Sequence, residues 1–158
     1  MTKTNAMRLL EQAKIPFITA QYEVDEQDLN GMHAAEGVGM PPVQVYKTLV
    51  ARGDKKGYLV FCIPVCCELD LKKAAKAAGD KKVELIAVKE LLPLTGYIRG
   101  GCSPIGMKKK FPTYFEETAQ LYDTIAVSAG VRGTQMLISP EDLTTYTTAI
   151  YADLVETT

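Results

Sequence analysis

The segment TGYIRGGCSPIGMKKK, residues 95–110, constrains the fold more tightly than any other stretch of this chain. Four glycines (Gly96, Gly100, Gly101 and Gly106) fall within eleven residues, with Pro104 among them. Glycine reaches backbone conformations closed to other residues, whereas proline removes freedom, so together they make a loop of defined shape. Apolar residues flank the loop on both sides, so it is built against a core and is not a tether. The chain can supply that core: 158 residues, 47% hydrophobic and 23% charged, suit one globular domain over 1–158. At this length roughly 70% of the extended surface is buried without help from disulfides.

Periodicity places the elements around the loop. Ala6, Leu9, Leu10 and Ala13 form the stripe of a first helix, capped by Thr4 or Asn5 and limited by Pro16. A strand is expected over Phe17–Tyr22, and a short helix around His33 ends at Gly39. Strands at Thr48–Arg52 and Tyr58–Pro64 are joined by the turn GDKKG, and Pro42 opens a short helix before them. A second clear helix covers 68–78, with Leu71, Ala74, Ala75 and Ala78 inward and Gly79 as its stop. A strand at Val83–Ala87 and a helix at Val88–Leu94 lead into the glycine loop. Beyond it come strands at Thr113–Glu116, Thr124–Ser128 and Gln135–Ile138, a helix at 140–148 capped by Ser139, and a strand at Tyr151–Val155. Strands and helices intermix without strict alternation, which predicts a mixed α/β fold with a strongly curved sheet and helices around it.

Charge is uneven. Residues 47–110 hold fourteen bases and six acids, a balance of +8, while the last 48 residues hold one base and seven acids. A local surface for an anion or nucleic acid follows as readily as a set of solvated lysine faces. No apolar run approaches a membrane span, and the N-terminus has no signal-peptide core, so a cytoplasmic protein with reduced thiols is expected.

The residues exclude several chemistries. There is one histidine, His33, so a histidine metal cluster is impossible. Cys62, Cys66 and Cys67 lack the paired spacing of a zinc site, and their apolar run reads as core. Neither a Walker loop nor a GxGxxG fingerprint occurs, so no cofactor is expected. Two candidates remain. The loop Gly100-Gly101-Cys102-Ser103-Pro104-Ile105-Gly106 can place N–H groups and the Ser103 hydroxyl around a phosphate or carbonyl oxygen, or be a hairpin with no ligand. Lys47, within VYKTLV, points into a cleft or stands exposed at a sheet edge.

Five segments carry a resemblance: TNAMRLL (4–10), VYKTLV (45–50), ELDLKKAAKAAG (68–79), TGYIRGGCSPIG (95–106) and VSAGVRG (127–133). In this order they resemble the YbaK family of stand-alone aminoacyl-tRNA editing enzymes, whose fold is that of the editing domain inserted in many bacterial prolyl-tRNA synthetases. The resemblance implies a barrel-like mixed sheet surrounded by helices, and hydrolysis of Cys-tRNA(Pro), which the synthetase makes because cysteine is close to proline in size. It implies partners, the tRNA acceptor end carrying the wrong amino acid and prolyl-tRNA synthetase, but no membrane, metal or cofactor. The substrate's own thiol would attack its ester. By the same resemblance Lys47, Gly101 and Ser103 are catalytic, and Tyr46, Gly100, Cys102, Pro104, Ile105 and Gly106 bind substrate. A deacylase for another small amino acid, or a non-catalytic tRNA- or synthetase-binding module, are the competing readings.

Overall fold

The computed structural model describes residues 3–157. The first helix, α1 (Asn5–Gln12), starts where the Thr4 hydroxyl accepts the Met7 N–H at 3.2 Å. Its inward face is Ala6, Met7 and Leu10. Leu9 is only half-buried and Ala13 is exposed, because the helix ends one residue before Ala13. The expected stripe is therefore rotated towards Met7.

Among the described residues eight strands follow a mixed order. β1 (Ile18–Gln21), β6 (Ile125–Ser128) and β7 (Thr134–Ile138) make an antiparallel sheet in the order β1-β7-β6. A five-stranded sheet has the order β4-β2-β3-β5-β8, built from β2 (Tyr46–Gly53), β3 (Gly57–Pro64), β4 (Val83–Leu85), β5 (Thr113–Glu116) and β8 (Ile150–Ala152). β2 runs antiparallel to β3 and β4, while β3, β5 and β8 are parallel. Among the described residues one isolated parallel bridge, Val45 to Ala126, joins the two sheets. The strands thus form the mixed α/β architecture expected, divided between two sheets.

The main core fills the space between the sheets and α1. Met7, Leu10, Val50, Val60, Phe115, Ile125 and Met136 meet there. The opposite face of the larger sheet carries Ala51, Leu59, Phe61 and Ile63, covered by α3 (Leu71–Ala78) through Ala74, Ala75 and Ala78. α3 begins three residues later than the sequence suggests. The Asp70 carboxylate accepts the N–H groups of Lys72 (3.0 Å) and Lys73 (3.1 Å), which fixes the start there. Leu69 is drawn instead into a bridge with Val155, and Leu71 is left exposed. β8 stops at Ala152 because its partner strand ends opposite it, at Glu116. The remaining helices are α2 (Gly31–Val38), α4 (Val88–Thr95) and α5 (Pro140–Thr147).

A short 3-10 helix at Glu117–Leu121, not foreseen from sequence, follows β5. It hangs on Glu116, which is 1% exposed. The Glu116 carboxylate accepts the N–H of Thr118 and, across the fold, the N–H of Leu154, both at 2.9 Å. Glu116→Ala leaves both donors without an acceptor, at about 1–3 kcal/mol each. The expected loss is about 3 kcal/mol, or roughly 6–12 °C in Tm for a chain of this size, read by thermal unfolding. An unchanged Tm would contradict this role.

Candidate active site

The site begins with a gap along one edge of β2. The Val65 N–H donates to the Val45 carbonyl at 2.8 Å, which sets the alternation of the β2–β3 ladder. By that alternation Thr48 turns its backbone N–H and C=O away from β3. On that side β4 pairs only with Ala51–Gly53, extended by the Ile86 N–H to the Val50 carbonyl, and among the described residues the smaller sheet makes its backbone bridge only at Val45. Between these two anchors the edge is open.

A cavity of about 540 Å³ occupies the gap. Val45–Val50 form one wall, the Leu85–Val88 segment a second, and Leu29–Gly31 with Ala34 of α2 a third. Arg99, Gly100 and Cys102 of the glycine loop close it, with Ser128 of β6 and Gln135 of β7 behind them.

Lys47 is half-buried in this wall and makes no ion pair among the described residues. Its charge acts on a nearby thiol: burial, and then the adjacent Cys66, push Cys67 up to about 11, and Lys47 pulls the other way. Tyr46 is buried with its ring stacked on Phe115, centroids 6.2 Å apart, and burial raises its phenol. Cys102 is 9% exposed, and burial pushes its thiol up to about 12.

The loop is held by long-range contacts. Gly100 has φ +86, in the left-handed region. A Cβ on Gly101 would lie 3.2 Å from the backbone of Val131 and Arg132, so a side chain there would push that backbone away by a few tenths of an ångström. The Arg132 guanidinium donates to the Arg99 carbonyl at 2.8 Å and pairs with Glu26 at 2.7 Å. The Tyr97 hydroxyl donates to the Ile105 carbonyl. Within the loop, the Gly101 N–H donates to the Ile98 carbonyl at 2.9 Å, and the Ile105 N–H to the Ser103 hydroxyl at 3.3 Å. The N–H groups of Gly100 and Cys102 find no acceptor among the described residues.

The structure therefore divides the sequence-selected residues. It brings Tyr46, Lys47, Gly100 and Cys102 together around the cavity. Gly101 and the fully buried Ser103 line neither this cavity nor the smaller hollow nearby, whereas Pro104, Ile105 and Gly106 line that second hollow. His33 also lies outside the cavity, with its Nε2 3.0 Å from the Glu23 carbonyl oxygen. Cys62 is buried in β3, while Cys66 and Cys67 sit in the turn after it, their sulfurs 3.9 Å apart.

Sequence reasoning missed Arg99, Ser128 and Gln135. Gln135 was detectable as a polar residue in an apolar strand, TQMLI. It is 5% exposed, and its side-chain oxygen is fully buried without a hydrogen-bond partner among the described residues.

The raised thiol of Cys102 gives a pH prediction. A thiol near 8.5 in the unfolded chain and about 12 when folded leaves the folded state with more bound protons above pH 9. Stability must then fall as pH rises from about 9 towards 12. Cys102→Ala should flatten this alkaline decline by up to about 1.4 kcal/mol per pH unit while keeping activity, read by denaturant unfolding across pH and by turnover at pH 7. A folded but inactive Cys102→Ala protein would make this thiol a nucleophile.

Residues 32–146 match the family described as the aminoacyl-tRNA editing domain. A protein of Enterococcus faecalis, named "Putative Cys-tRNA(Pro)/Cys-tRNA(Cys) deacylase EbsC", is 50% identical over 152 residues, covering 96% of this chain and 93% of that protein. The crystal structure of "a putative trans-editing enzyme for prolyl tRNA synthetase" is 27% identical with a TM-score of 0.82, covering 99% of this chain and all of that one. A hypothetical protein of known structure, 21% identical over 94% of this chain and 97% of its own, shares the fold at a TM-score of 0.85. No described helix is long and apolar enough to cross a membrane. With the family match spanning most of the chain, the protein belongs to the aminoacyl-tRNA editing domain family.

Proposed function

We propose that the protein deacylates Cys-tRNA(Pro) in trans, with the aminoacyl group in the cavity beside Lys47 and all of residues 1–158 acting as one editing domain. The observation that carries this reading is the cavity itself: a half-buried lysine with no ion pair among the described residues, facing a glycine loop with two N–H groups that find no acceptor among them, and no histidine in the wall. An aminoacyl ester is already activated, so positioning and charge stabilisation suffice without a base and nucleophile from the protein.

Each residue then has a task. Lys47 favours the thiolate of the substrate cysteine, as it does weakly for Cys67. That sulfur attacks the ester carbonyl to close a cysteine thiolactone, the acyl–oxygen bond to the ribose breaks as the ribose oxygen takes the proton given up by the thiol, and water then opens the thiolactone to free cysteine. The N–H groups of Gly100 and Cys102 receive the charge that develops on the carbonyl oxygen. Tyr46 buttresses the floor, and Gly101 and Ser103 keep the loop in shape. Pro104, Ile105 and Gly106 serve the hollow next to it.

At about 540 Å³ the cavity lies in the range of pockets for drug-sized ligands, so it does not grip a cysteinyl group by size alone. Discrimination therefore falls on thiol reactivity. A reconstituted charging reaction tests this: with prolyl-tRNA synthetase, tRNA(Pro) and cysteine, added protein should abolish Cys-tRNA(Pro) accumulation and spare Pro-tRNA(Pro). Undiminished Cys-tRNA(Pro) would refute the reading. Preferential loss of another small amino acid from tRNA(Pro) would move the substrate assignment.

A further inference from the structure

The hollow further along the glycine loop has about 240 Å³ and a composition unlike the main cavity. Its floor is apolar, from Leu9, Ile105 and Met107, and Phe111 and Tyr146 bring two aromatic rings. Lys109 and Lys110 also line it; both are exposed, and neither joins an ion pair among the described residues. No carboxylate is among its lining residues. The volume falls below the roughly 300 Å³ at which pockets for drug-sized ligands begin, so it suits one flat ring system and not an extended ligand.

Aromatic walls beside unpaired lysines are how proteins hold single-stranded nucleic acid: a base stacks on the rings and the ammonium groups take the phosphates. The position agrees with that use. Cys102 lines the cavity and Pro104 lines the hollow, and two residues of chain span at most about 7 Å. The hollow and the cavity are therefore near neighbours along the glycine loop.

We infer that this hollow seats one unpaired base of the tRNA acceptor strand, its flanking phosphates held by Lys109 and Lys110, while the aminoacylated end enters the cavity. The inference rests on the deacylase reading, and its test separates the two. The probe is a fluorescent acceptor-stem RNA hairpin with an unpaired ACCA end, titrated by anisotropy across a series of KCl concentrations. The double variant Lys109→Ala/Lys110→Ala should bind about 10-fold more weakly, and its slope of log K against log salt should fall by about 1.4, since each single-strand phosphate contact contributes about 0.7. A blunt hairpin should bind the wild type no better than the ACCA hairpin binds this variant. Lys72→Ala/Lys76→Ala, on α3, should change neither affinity nor slope.

In deacylation, the Lys109/Lys110 variant should raise KM for aminoacyl-tRNA and keep kcat. Unchanged affinity and slope in this variant, or an equal loss in the α3 variant, would overturn the site. Binding that depends on the hollow without any deacylation would refute the function and leave the site standing. Deacylation at an unchanged KM in the variant would do the reverse.

Discussion

Lys47→Ala is expected to reduce Cys-tRNA(Pro) deacylation by about 100-fold or more while the protein stays folded. The size follows from what removing one preorganised charge or hydrogen-bond donor costs in a transition state, about 10²–10³ in kcat. No second cation replaces it in the same place: Arg99 is the other base lining the cavity, and it sits across on the glycine loop. Folding should be spared, because Lys47 is half-buried, has no ion-pair partner among the described residues, and its register with Ile63 is a backbone matter. Lys47→Arg keeps the charge but spreads it over a planar fork, so partial rescue is expected. The measurement is single-turnover deacylation beside a thermal melt. Near-normal turnover in a folded Lys47→Ala protein would remove Lys47 from the chemistry.

Ser-tRNA(Pro) should be a far poorer substrate than Cys-tRNA(Pro), by about 100-fold or more in kcat/KM. Serine and cysteine side chains have almost the same shape, and a pocket that measures only size separates near-isosteres weakly. A mechanism that needs an ionised side chain separates them in the transition state, since a thiol ionises near 8.5 and a serine hydroxyl is not ionised at neutral pH. The two buried thiols do not blur this comparison: burial holds both Cys62 and Cys102 well above neutral pH. Equal rates for the two substrates would assign the attack to a water positioned by the loop, leaving the editing activity in place.

The elements read from sequence were those set by local chemistry. Thr4, Ser139 and the Gly39 and Gly79 stops are short-range signals, and the structure uses each of them. The hairpin that carries Lys47 was legible for the same reason. The site was half legible. VYKTLV and the glycine loop stood out, but which loop residues face the cavity depends on contacts from distant parts of the chain. Arg132 holds the Arg99 carbonyl, and the Val131–Arg132 backbone presses on Gly101. These contacts leave Gly100 and Cys102 on the cavity and turn Ser103 inward to the Ile105 N–H. Nothing in GGCSPIG announces that division. Likewise, Asp70 outcompeted Glu68 as the start of α3 because the bridge of Leu69 to Val155 pairs residues that no local window contains.

The central claim, that the cavity beside Lys47 removes cysteine from tRNA(Pro), is tested most directly by single-turnover deacylation of Cys-tRNA(Pro), Ala-tRNA(Pro) and Pro-tRNA(Pro) with the purified protein in excess. The account predicts rapid release from Cys-tRNA(Pro), slow release from Ala-tRNA(Pro), which has no thiol, and none above the uncatalysed rate from Pro-tRNA(Pro). Equal hydrolysis of all three, or no hydrolysis of Cys-tRNA(Pro), would contradict it.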